Sequence, residues 1–183
     1  MEVYDKIKSL SAKSRKHTYN YLLLSLYVLF PPRRVVDYSK MIIVDKIGDC
    51  LGKDLNYVVL EDQKFVFNNY KTRKAFNKKA KNDVHSEQIF DVPKELIDVI
   101  LNVVNKFGRA DKSLLGMSEN VIQSRLNGIF LKHSGKRISV TLLRHAYISY
   151  VFDNDLAKSG QEKMILANKM AHSVNVQNNY RKC

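Results

Sequence analysis

Apolar positions recur at three- and four-residue intervals along most of this chain. Between residues 14 and 30, Tyr19, Leu22, Leu23, Leu26 and Leu29 share one helical face. Pro31-Pro32 ends that helix, because proline lacks a backbone donor and biases the residue before it away from helix. A short helix is predicted from Val35 to Met41. The pattern then changes: Asn56 to Leu60 and Lys64 to Tyr70 are rich in β-formers (Val58, Val59, Phe65, Val66, Phe67) around a polar turn, Glu61-Asp62-Gln63. A third strand around Ser86 to Val92 ends at Pro93. Helical spacing returns with Leu96, Val99, Ile100, Val103 and Val104, in a helix that Pro93 opens and Gly108 closes. Further helices are predicted over Ser118 to Leu131, from a cap at Ser139 or Thr141 to about Phe152, over Gln161 to Ala171, and over a short Val174 to Lys182. The pattern predicts an α+β, mainly helical fold with a small three-stranded antiparallel sheet. The connection between its second and third strands, Lys71 to Lys81, is dense in lysine and arginine.

With 183 residues and no repeat, low-complexity tract or linker, a single domain is expected. The longest apolar run, Tyr21 to Phe30, is too short to cross a bilayer, and Met1 to Lys8 has no signal-peptide apolar segment. Cys50 and Cys183 form no disulfide framework, which fits a reducing compartment and a protein that is intracellular and not secreted. The five histidines and two cysteines do not fall at metal-ligand spacing, so no metal is expected. Gly135-Lys136 lacks the rest of a P-loop, and no cofactor is expected. Charge changes the picture more: 31 Lys plus Arg against 18 Asp plus Glu gives a net charge of +13, the footprint of a polyanion partner.

Several residues stand out against this background. Arg144 sits within a mostly apolar helix, Val140 to Ile148. His172 ends another helix, and Tyr180 follows eight residues later. Taken in order, these resemble the tyrosine recombinases, the phage-integrase family, in their catalytic domain. Leu142-Leu143-Arg144-His145-Ala146-Tyr147 is similar to the family's second arginine box, His-x-x-Arg-His. Met170-Ala171-His172-Ser173 is similar to its Leu-Gly-His-Ser box. Arg34-Val35-Val36-Asp37 is similar to its first arginine box, Arg-x-x-Glu, which favours Arg34 over Arg33. Tyr70-Lys71-Thr72-Arg73-Lys74 resembles the hairpin that carries the family's catalytic lysine, with Lys71 first in that role and Lys74 the fallback. Thr141 replaces the histidine of His-x-x-Arg, and the His172 to Tyr180 spacing is one residue shorter than usual.

The resemblance implies DNA breaking and rejoining without metal. Arg34 and Arg144 would clamp the non-bridging phosphate oxygens, since a planar guanidinium binds two oxygens and stays charged. His172 would add a donor to the same phosphate or help to deprotonate the nucleophile. Tyr180 would attack phosphorus to give a 3′-phosphotyrosine, and Lys71 would protonate the leaving 5′-oxygen. Asp37 would hold Arg34, Thr141 would offer a hydroxyl to the phosphate, and His145 would support the site. Arg73, Lys74, Lys78, Lys79, Lys81, Lys136 and Arg137 would bind backbone phosphates. The expected partners are double-stranded DNA and other copies of the chain in a tetrameric synapse. The family's N-terminal core-binding domain is expected to be absent ahead of Arg34, the chain being either an excised catalytic fragment or a minimal enzyme. A type IB topoisomerase and a degenerate DNA-binding relative are the rival readings. A virus or mobile element is the expected carrier, from the family's usual hosts and the Lys/Asn/Ile-rich composition.

Overall fold

The computed structural model describes residues 2–51, 53–70, 87–108 and 112–180, the last three by backbone alone. Helix α1 (Glu2–Leu10) lays Tyr4 and Ile7 against α2 (Arg15–Val28). Ser14 caps α2 by accepting from the His17 amide, meeting one of the orphan donors of a helix start. From Asn20 to Tyr27 every residue of α2 is buried. A helix apolar all round belongs at the centre of a fold, and α2 packs against α1, α4 (Lys94–Phe107) and α5 (Glu119–Ser134). Pro31-Pro32 ends it as expected, and the short α3 (Val35–Ser39) follows. No described helix is long and apolar enough to cross a membrane.

The sheet has four strands in the order β1 (Ile42–Val44), β2 (Asn56–Val59), β3 (Lys64–Phe67), β4 (Gln88–Asp91). The last three form the expected antiparallel arrangement, with Val58 opposite Phe65 and Val66 opposite Ile89. The three-stranded antiparallel prediction is corrected by β1, which pairs parallel with β2 and makes the sheet mixed. Three residues are too few to show a period, and a parallel partner leaves no hairpin turn in the sequence. Side chains alternate across β2 and β3. Val58, Phe65 and Phe67 enter the main core with Phe30 and Tyr38, and Tyr57, Val59 and Val66 cover Cys50 on the other side.

The C-terminal helices α6 (Val140–Asp153), α7 (Gly160–Lys169) and α8 (Val174–Tyr180) add a smaller core around Ile148, Phe152, Leu166 and Met170. Ser139, not Thr141, caps α6, accepting from the Leu142 amide at 3.1 Å. Ser159 and Glu162 form a capping box at the start of α7. Val140 and Ala171 belong to the main core while Ile148 and Met170 belong to the smaller one. Arg144 and His172 therefore lie where the two cores meet.

Candidate active site

Two adjacent arginines after α2 have different fates. The Arg33 side chain is wholly buried. Its Nε donates to Asp37 Oδ2 at 2.8 Å, and both terminal nitrogens donate to Gln88 Oε1 at 3.1 Å. One of them also reaches the carbonyl of Lys169 at 2.9 Å. The guanidinium carbon lies 3.7 Å from the centre of the Phe67 ring. Arg33 thus ties α3 to the sheet and to the end of α7, and each of its three nitrogens donates to protein. Asp37 holds Arg33, not Arg34 as the motif suggested. On a helix both the third and the fourth neighbour lie within reach, and the chain uses the fourth. Arg34 is half-buried at the N-cap of α3, and its Nε is buried with no hydrogen-bond partner among the described residues. Of the two, Arg34 is the one with a donor left for a ligand.

Arg144 is 2% exposed, and one terminal nitrogen donates to the carbonyls of Pro32 at 2.7 Å and Met170 at 3.0 Å. The first bond fixes the peptide that leads into Arg33 and Arg34. The second joins Arg33 at the end of α7, where helix carbonyls lack intrahelical partners and carry partial negative charge. The turn after α7 is a Schellman motif: the His172 amide bonds to Ala167 O and the Ala171 amide to Asn168 O, each at 3.0 Å. Ala171 takes the left-handed conformation, with φ of 52°. That geometry aims His172 back into the protein beside the arginines.

His172 is 1% exposed, and its Nδ1 lies 3.0 Å from the Ser173 carbonyl. A carbonyl only accepts, so Nδ1 carries the proton and Nε2 the lone pair. Burial pushes the imidazole pKa down to about 4. The Ser173 bond opposes this, while the charges of Arg144, Arg34 and Arg33 add to it. At neutral pH His172 is an uncharged hydrogen-bond acceptor, a weak base until an anion beside it raises its pKa. Its folded pKa lies below the unfolded value of 6.5, so the unfolded chain binds the extra proton first. The stabilisation is complete above about pH 7 and is lost as pH falls from 6.5 to 4, by about 3 kcal/mol. Urea unfolding between pH 7 and 4 is expected to show wild type losing that much more stability than His172→Gln.

Helix α8 packs against α6, which carries Arg144, and against α7. Its last residue is Tyr180. No protein-family model and no curated protein matches the chain. Among solved structures, the crystal structure of XerA recombinase superposes with a TM-score of 0.61 at 16% identity, over 97% of this chain and 56% of that one. The fold is that of a tyrosine-recombinase catalytic domain.

Within this tyrosine-recombinase fold, Thr141 is exposed on the first turn of α6, three residues before Arg144, and His145 is half-buried after it. Lys136 and Arg137 are exposed in the turn that Gly135 makes between α5 and α6. Lys71, Arg73, Lys74, Lys78, Lys79 and Lys81 lie outside the described residues. The chain leading to them is well fixed. Asn56 on β2 accepts from the Asn69 amide at 2.8 Å and donates to the carbonyls of Asn69 and Asp37, both at 2.9 Å. Tyr70 is buried with its ring centre 5.7 Å from the Arg33 guanidinium. Gln88 and Asn56 carry no motif in the sequence, and Arg33 enters there only as the alternative to Arg34. Only the Arg33–Asp37 spacing of four carried a local signal.

Proposed function

We propose that the chain is a site-specific DNA recombinase or integrase that cleaves and rejoins double-stranded DNA through a 3′-phosphotyrosine at Tyr180. The observation that carries this reading is a neutral, buried histidine set among three guanidiniums, one of which, Arg34, keeps a buried donor unused. Such a site is built for a group that brings its own negative charge. A phosphodiester does so, and its transition state places still more charge on the non-bridging oxygens.

In this reading Arg34 and Arg144 hold those oxygens, and the Thr141 hydroxyl adds a donor from the exposed turn of α6. His172 Nε2 takes the proton of the Tyr180 hydroxyl, whose ordinary pKa of about 10 makes it a poor nucleophile unaided. The phenolate oxygen bonds to phosphorus and the bond to the 5′-oxygen breaks. Lys71, one residue after the buried Tyr70, gives that oxygen a proton. Rejoining reverses these steps, with the 5′-hydroxyl attacking and tyrosine leaving, so no ATP is consumed. Asp37 acts on the site through Arg33, and His145 supports Arg144. Lys136 and Arg137, with Arg73, Lys74, Lys78, Lys79 and Lys81, bind backbone phosphates.

The test is to mix the protein with nicked duplexes from the termini of its own genome and run a denaturing gel. A protease-sensitive, covalently shifted DNA band is expected, and mass spectrometry of its digest is expected to find the nucleotide on Tyr180. DNA binding without any adduct overturns the proposal.

A further inference from the structure

Two neighbouring cavities, of about 440 Å³ between α2, α4 and α5 and about 670 Å³ between α2 and α5, share Lys16 and Arg125 in their walls. They open at the start of α2, and the arginine pair follows its end. At 1.5 Å per residue the 14-residue helix separates them by roughly 20 Å. The rim carries the cations Arg15, Lys16, Arg125 and Lys132, with His17 and His133 beside them, and among the described residues no carboxylate lines either cavity. The floor is apolar. Tyr19, Phe107, Leu115 and Met117 line one part, and Ile7 and Ile129 the other. Arg15 is held over the Tyr19 and Phe107 rings, 5.7 and 5.3 Å from their centres.

Two further details bear on what fits there. Asn20, nine-tenths buried, lines the larger cavity with its Oδ1 unpartnered. A buried acceptor left unmet is costly. A phosphodiester offers only acceptors, whereas a peptide amide donates. Gly128 also lines the larger cavity, in the middle of α5, where glycine is the poorest choice after proline. No atom lies within 4 Å of where its Cβ would stand, so packing does not require it, and its absent side chain keeps the groove open.

We propose that this groove docks an acidic, apolar peptide segment of a partner protein, its carboxylates on the cationic rim and its apolar side chains on the floor. Charge complementarity names the sign of the occupant. The apolar floor and the Asn20 acceptor favour a peptide over a nucleic acid. The basic segment around Lys71 to Lys81 has the wrong charge to fill the groove itself.

The test measures fluorescence anisotropy of the full chain with a labelled twelve-residue peptide alternating Glu with Leu and Phe, and separately with a labelled DNA duplex. The key variant is Gly128→Leu, which fills the groove without changing charge and replaces glycine by a good helix former. Its Tm is expected to equal or exceed that of wild type, which verifies the fold. At 0.15 M salt the acidic peptide is expected to bind, and Gly128→Leu to weaken it at least tenfold while duplex binding changes less than twofold. Peptide binding that survives Gly128→Leu, or that does not occur, overturns the proposal. Loss of duplex binding in parallel also overturns it and assigns the groove to nucleic acid.

Discussion

Arg33→Ala is expected to cost about 3–5 kcal/mol of folding free energy, the usual penalty for removing one partner of a buried ion pair. The variant leaves the Asp37 carboxylate fully buried without its cation, and takes donors from Gln88 Oε1 and from the carbonyl of Lys169. It also leaves a void against the Phe67 ring. For a chain of this size such a loss lowers Tm by roughly 10–15 °C and takes a large share of an ordinary domain's stability. Thermal unfolding followed by circular dichroism measures this directly. A shift of less than about 3 °C would show that Arg33 is not the hub described above.

The neighbouring arginine should behave in the opposite way. In the adduct assay, Tyr180→Phe is expected to abolish the covalent band, because no oxygen remains to attack phosphorus. Arg34→Ala is expected to reduce its rate of formation by about 10²–10³-fold, the usual cost of losing one donor to a developing oxyanion. Neither substitution removes a hydrogen bond described in the fold, so Tm is expected to stay within about 2 °C, less than 1 kcal/mol for a domain of this size. Two adjacent arginines, one failing by unfolding and the other by inactivity, would separate support from chemistry. If Arg34→Ala instead leaves the adduct rate intact while Arg144→Ala lowers it, the first arginine of the clamp has been misassigned.

The helices were legible because their signals are local. Residue 14, Pro31, Ser118 and Leu131 bound helices that the structure keeps to within a few residues. The β2–β3 hairpin was legible for the same reason. Strand β1 was not, because Ile42–Val44 is too short to show a period and its order comes from pairing with β2. The short helix Glu2–Leu10 was not read either, although Tyr4 and Ile7 fall three residues apart. In the site, the ordered motifs pointed to Arg144 and His172, which the structure brings to one place. The partners of Arg33 were hidden because Gln88 and Lys169 lie 55 and 136 residues away in sequence. The structure also gives a reason for one motif letter. The residue before His172 must adopt a left-handed backbone, which suits glycine. Here Ala171 does so within a buried turn.

The end of α7 is gripped by Arg33, 136 residues earlier in the chain, and by Arg144, 26 residues earlier, and Arg144 also holds the Pro32 carbonyl 112 residues before it. Closing such distant contacts is slow relative to forming helices and hairpins. The arginines and the histidine therefore come into register only once the last helices have docked on the first. During synthesis, a chain still missing its final turns has its arginines but lacks the carbonyls of Lys169 and Met170 that help to orient them and the histidine beside them. In the function proposed above, strand breaking would thereby be withheld from incomplete or partly unfolded copies, with the order of assembly as the safeguard.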